Sequence, residues 1–181
     1  MHLNTFSIVA YDPDAKAWGV AVASKFLASA AVVSWARADA GAVATQSFAK
    51  VGFGPDGLRM MAEGKNAAET LTALLADDPK RESRQVGLVD REGLAAAHTG
   101  SECHDWAGHK IGDGFTVQGN ILTGADVLDA MSDAYVAAKG DAILAMPIGE
   151  LLFQGIAQGV FAGILALIFY TKAVASLGAA R

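Results

Sequence analysis

Over the first 140 residues, apolar positions come in short runs separated by turn-forming clusters. Thr5–Tyr11 and Trp18–Phe26 are two such runs, divided by Asp12-Pro13-Asp14-Ala15-Lys16, and this pattern predicts a β-hairpin. Ala30–Trp35 and Gly41–Phe48, on either side of Arg37-Ala38-Asp39, predict a second strand pair. The glycine-rich stretch Gly52–Gly57 predicts a break in the sheet, after which Leu58, Met60 and Met61 open a helical stretch. Asn66, with Glu69 three residues later, is a capping-box pattern and predicts a helix over Ala67–Ala76. Strands return at Gln85–Val89, at Leu94–Thr99 after the turn Asp90-Arg91-Glu92-Gly93, and at Phe115–Leu122. A helix over Asp126–Lys139 sets Val127, Ala130, Met131, Ala134 and Ala138 on one face. The strings GVAVAS and GAVATQS carry small residues at alternate positions, which predicts strands covered on both faces by closely approaching layers.

The pattern changes abruptly towards the C-terminus. The 39 residues Ile143–Arg181 hold three charges, Glu150, Lys172 and Arg181, whereas residues 1–142 hold twelve basic and eighteen acidic side chains. Leu151–Thr171 is an uncharged stretch of 21 residues. As a helix it spans roughly 30 Å, the thickness of a bilayer core. It therefore predicts a membrane-helix-like tail over 141–181 behind a body over 1–140. The other reading is a helix buried against the body. Lys139 on one side and Lys172 and Arg181 on the other set no orientation.

Composition narrows the possibilities further. At 181 residues, 52% hydrophobic and 18% charged, the chain is too apolar for disorder and long enough for one filled domain with an appendage. A net charge of −5 leaves no basic stripe to neutralise phosphates, so no nucleic-acid partner is expected. Cys103 is the only cysteine and has no partner for an intrachain disulfide. The N-terminus lacks a basic segment followed by an apolar one, which predicts a cytoplasmic body, membrane-attached only if residues 151–171 insert.

The densest chemistry lies in Ser101–His109. Cys103 beside His104 has the residue types of a nucleophile and its base, and Cys103, His104, Asp105 and His109 have those of a metal site. Neighbours in sequence seldom aim at one centre, and there is neither a second cysteine nor an HxxxH helix. No metal and no cofactor are therefore expected, and the segment is read as a loop folding over a cleft, with Trp106 packed and His104 hydrogen-bonded. Asn120 follows Gly119 in a strand, where it can orient a substrate carbonyl or satisfy buried backbone groups. Lys25 is embedded in a long apolar run, so its ammonium is either partly desolvated and able to assist proton transfer or extended into water.

The strings TFSIVAYD, WGVAVASKFLA, GAVATQS, GFGPDGL, LLADDP, RQVGLVD, CHDWAGH and VQGNIL, collinear from about Thr5 to about Gly140, resemble the bacterial and archaeal family known as domain of unknown function 1028. That family is similar to the N-terminal-nucleophile (Ntn) hydrolases. The resemblance implies an α+β fold, a four-layer αββα sandwich that is truncated here, and an amidohydrolase. It also implies a nucleophile that opens the first strand and is activated by its own α-amine, which makes Thr5 the candidate once the chain is cut after Asn4. The alternative is that Thr5 is an ordinary β-branched strand residue. Ser24 and Lys25 would close the same hairpin beside it, and Thr45-Gln46-Ser47 corresponds to the region that supplies oxyanion-binding N–H groups in related hydrolases. LLFQGIAQGVFAGILALIFYTKAVASLGAAR in turn resembles the closing helices of EamA-type drug/metabolite transporters.

The expectation is thus an amidohydrolase using Thr5, Lys25 and Asn120, with Ser24, Gln46, Cys103 and His104 about the cleft. Its partners would be a small-molecule or peptide substrate, a membrane through residues 151–171, and further copies of itself. The alternatives are a non-catalytic scaffold and a membrane-attached chimera.

Overall fold

The first β-hairpin forms where the sequence places it. Strand β1 (Thr5–Asp12) pairs antiparallel with β2 (Ala17–Ser24), Thr5 opposite Ser24 and Asp12 opposite Ala17. Asp12 closes the turn by accepting the Asp14 and Ala15 N–H groups on Oδ1. These elements belong to a computed structural model that describes residues 4–138. The predicted tail, its 151–171 span and the boundary at 140 lie outside the described residues. Among the described residues, no helix is long and apolar enough to cross a membrane.

The chain then departs from expectation. Ala30–Val33, predicted as part of a strand, is a single helical turn, α1, and only Ser34–Arg37 (β3) is extended. The physical reason is a change of sheet. β2 lies at the edge of one sheet and β3 at the edge of the other, so the backbone must turn between them, and α1 does this while burying Val33. β4 (Gly41–Ser47), β5 (Arg84–Asp90) and β6 (Ala95–Thr99) complete the order β3-β4-β5-β6, antiparallel throughout. β7 (Gly108–Gly112) and β8 (Phe115–Asn120) complete β2-β1-β8-β7, also antiparallel. β7 was not foreseen. It is a short edge strand with glycine at both ends and His109, Lys110 and Ile111 between, too short and mixed for a period-two signal.

The glycine-rich stretch expected to break the sheet instead begins a helix, α2 (Phe53–Ala62). Pro55 is in the first turn, where a missing N–H costs no intrahelical bond. Gly54 is required by packing, because a Cβ there would lie 2.2 Å from the Trp35 ring. Helix α3 (Ala67–Ala76) carries the predicted capping box: Asn66 Oδ1 accepts the Glu69 N–H at 2.9 Å and Glu69 accepts the Asn66 N–H at 3.0 Å. Buried Asp90 joins helix to sheet, accepting the Ala67 N–H on one oxygen and the Glu92 and Leu94 N–H groups on the other.

Side-chain parity sorts the core into layers. Val43, Val86 and Leu88 face outward from their sheet and pack with Phe53, Leu58, Met61 and Leu74 of α2 and α3. Phe115 and Val117 face outward from the other sheet against Leu128 of α4 (Asp126–Ala138). Between the sheets lie Val9, Ala42, Ala44 and Val89, with Trp18 partly buried beside them. Ala42 and Ala44 give the close approach expected of GAVATQS. GVAVAS behaves differently, because β2 is an edge strand: Val20 and Val22 turn inward, while Gly19, Ala21 and Ala23 are exposed.

Candidate active-site cleft

Along the strands, the layer between the sheets changes from apolar to polar. Beyond Val9 and Ala44 the inward positions are Ser7 on β1, Gln46 on β4, Gln85 on β5, and Thr116, Gln118 and Asn120 on β8, all buried. Buried polar groups need partners, and here they supply most of them to one another. Ser7 Oγ donates to Gln46 Oε1 at 2.8 Å and accepts from Gln118 Nε2 at 2.7 Å. Gln85 Oε1 accepts from both Gln46 Nε2 at 2.8 Å and Asn120 Nδ2 at 2.9 Å. Gln85 Nε2 donates to the Gly119, Gly108 and Thr99 oxygens at 2.8 to 3.0 Å. Room for this network comes from Gly87, where a Cβ would stand 2.2 Å from Gln118 Oε1 and 2.5 Å from Thr116 Oγ1.

The network ends at a cleft of about 400 Å³. Thr5 lines it, on a strand flanked by β2 and β8, so Ser24 and Asn120 are its register neighbours on either side. Thr5 Oγ1 and Ser24 Oγ are 2.8 Å apart, and Ser24 Oγ also accepts the Phe26 N–H at 3.0 Å. One Asn120 N–H is taken by Gln85, leaving the other and Oδ1 for the cleft. His104 lines the cleft with its ring 5.4 Å from that of Phe48. Gln46 also lines it, but its amide is committed to Ser7 and Gln85.

Two predicted residues lie elsewhere. Lys25 is exposed just beyond β2 and is not part of the cleft wall. Cys103 is buried behind the wall, its thiol donating to the Arg84 carbonyl at 3.4 Å, and burial pushes its pKa up, which disfavours the thiolate. Among the described residues, no group of three His, Cys, Asp or Glu side chains converges on a point.

Sequence reading missed Gln85, although a glutamine heading an otherwise apolar strand is a visible oddity. It pointed to the backbone at Thr45-Gln46-Ser47 but not to the left-handed turns of the rim. Ser47 and Ile121 both line the cleft, and both are non-glycine residues in the left-handed region, at φ +66 and +56. Such conformations cost about 1–3 kcal/mol each and gather at functional sites.

The loop forming one wall is tied down from outside. Arg84 donates to the Phe48 carbonyl and, through Nε at 2.8 Å, to buried Asp78, which Lys50 also approaches at 3.8 Å. The Arg84 hydrogen bond holds the Asp78 carboxyl below its usual range, against the opposing effect of burial. A carboxyl depressed by folding contributes stability above its unfolded pKa near 3.8, and loses that contribution as pH falls through the lower folded value. Asp78→Asn is therefore expected to cost about 2 kcal/mol at pH 7. In urea unfolding the gap from wild type should narrow below about pH 4. A gap independent of pH would mean that the carboxylate charge plays no part.

A family model described as "Family of unknown function (DUF1028)" matches residues 5–164. The crystal structure of protein SPO2555 from Silicibacter pomeroyi, assigned to the same family, has a TM-score of 0.72 and 33% identity to this chain. The similarity covers 76% of this chain and 61% of that one, so this chain spans less than two thirds of that protein's length. No curated protein matches. With a family model matched over most of its length and a solved relative of the same assignment, the chain belongs to the DUF1028 family.

Proposed function

We propose that the cleft is the catalytic centre of an Ntn-type amidohydrolase, with the two sheets and their helices forming the αββα sandwich of that class. The observation that carries this reading is the position of Thr5. It lines the cleft, its hydroxyl against that of Ser24, with Ser24 and Asn120 beside it on adjacent strands.

With the bond before Thr5 cut, the freed α-amine, with an ordinary pKa of about 7.7–8.0, serves as general base. Thr5 Oγ1 attacks the amide carbonyl carbon and passes its proton to that amine. Ser24, already accepting from the Phe26 N–H, turns its own hydrogen towards Thr5 Oγ1 and leaves the threonine proton free to transfer. The unused Asn120 N–H, held in place by Gln85, meets the developing oxyanion. The C–N bond breaks, the departing amine takes the proton back, and an acyl ester remains on Thr5. Water, deprotonated by the same α-amine, then releases the acid.

The intact mass of the purified full chain, compared with a chain engineered to begin at Thr5, tests this directly. Turnover of simple amides is expected only where Thr5 is the first residue. Equal turnover with Met1 to Asn4 still attached, or none from the Thr5-initiated chain, overturns the proposal.

A further inference from the structure

We infer that the substrate is an uncharged amide with an apolar acyl group, an inference resting on the amidohydrolase reading above. The cleft is two-sided in chemistry. Thr5, Ser24 and Asn120 supply hydrogen-bonding groups from adjacent strands, and the apolar lining is Phe26, Val32, Val33, Phe48 and Val51, with the His104 ring beside Phe48. No Asp, Glu, Lys or Arg is among its lining residues.

Of the cations near the cleft, Lys25 is exposed just beyond β2 and outside the wall, and the other two are committed to Asp78. Lys50 lies 3.8 Å from Asp78 and 4.8 Å above the Phe53 ring, and Arg84 is held by Asp78 and the Phe48 carbonyl. A substrate carboxylate or ammonium entering the walled part would give up its hydration and meet no Asp, Glu, Lys or Arg in the wall itself. An apolar group would gain from the same walls. Phe26, Phe48 and Val51 are 57%, 51% and 43% exposed, so the mouth of the cleft presents apolar surface that an acyl chain or ring would cover. A volume of about 400 Å³ accommodates a group of phenyl size together with the amide.

The test is binding, which needs no catalysis. Phenylacetamide, succinamate and glycinamide, respectively neutral, anionic and cationic, are titrated into the full chain and followed by ligand-observed NMR. Phenylacetamide is expected to bind at least about tenfold more tightly than either charged probe, the least that burial of a ring contributes. Val51→Lys, at an exposed wall position, should weaken phenylacetamide and strengthen succinamate.

Binding of succinamate or glycinamide as tight as that of phenylacetamide overturns the inference. So does absence of phenylacetamide binding, or a Val51→Lys variant that changes neither probe. Hydrolysis assays with the Thr5-initiated chain separate this failure from failure of the amidohydrolase reading. Phenylacetamide bound but never cleaved removes the reaction and leaves the apolar specificity. Succinamate cleaved in preference removes the specificity and leaves the reaction.

Discussion

Gln85→Leu is expected to lower the stability of the domain by about 3–5 kcal/mol, enough to leave a small domain close to unfolding. The two side chains are similar in size, so the loss is not one of volume. Gln85 Oε1 is the shared acceptor for Gln46 and Asn120, and its Nε2 serves the Gly108 and Gly119 carbonyls on paired strands β7 and β8. Leucine leaves these buried groups to find other partners, at about 1–3 kcal/mol for each that fails. Urea unfolding followed by tryptophan fluorescence reads the effect. A loss below about 1 kcal/mol would mean that the two sheets are held by their apolar layer alone.

In the Thr5-initiated chain, Thr5→Ala is expected to reduce amide turnover roughly a thousandfold or more, the scale on which nucleophile deletions act. Folding should be little affected, because Thr5 is the first residue of β1 and its side chain meets only the Ser24 hydroxyl among the described hydrogen bonds. Thr5→Ser should retain measurable turnover, since it keeps the attacking oxygen. For the wild-type trimmed chain, kcat/KM should rise with pH and level off above about 8, because the α-amine acts only when neutral. Alanine at Thr5 with turnover intact would remove the nucleophile from the mechanism, whatever the state of the N-terminus.

Local features were legible in the sequence. The Asp12–Lys16 turn and the Asn66/Glu69 capping box depend on residues within a few positions of one another, and both form as expected. Thr5, Ser24 and Gln46 follow from the family resemblance, His104 and Asn120 from the residues themselves, and all five line one cleft. The hairpin puts Ser24 beside Thr5, but that Asn120 would meet them could not be read locally, because β1 and β8 pair across more than a hundred residues and no periodicity encodes the partner of a strand. Gly54 shows the converse limit. Glycine signals a break until Trp35, nineteen positions earlier, is found lying where its Cβ would be. The apolar neighbours of Lys25 left open whether its ammonium is desolvated or in water, and the structure gives the second, since Phe26 and Leu27 are themselves exposed at 57% and 90%.

The placement of β1 between β2 and β8 also governs timing. The sheet β3-β4-β5-β6 joins strands in the order in which they are made, so its pairings can form as the chain lengthens. The other sheet cannot close until β8 arrives to take its place beside β1, at the far end of a long entropic loop. During synthesis the N-terminal hairpin must wait, one edge of Thr5's strand unpaired, until residues beyond 120 have left the ribosome. Whatever reactivity Thr5 acquires, it acquires it last, when the rest of the sandwich is already there to enclose it.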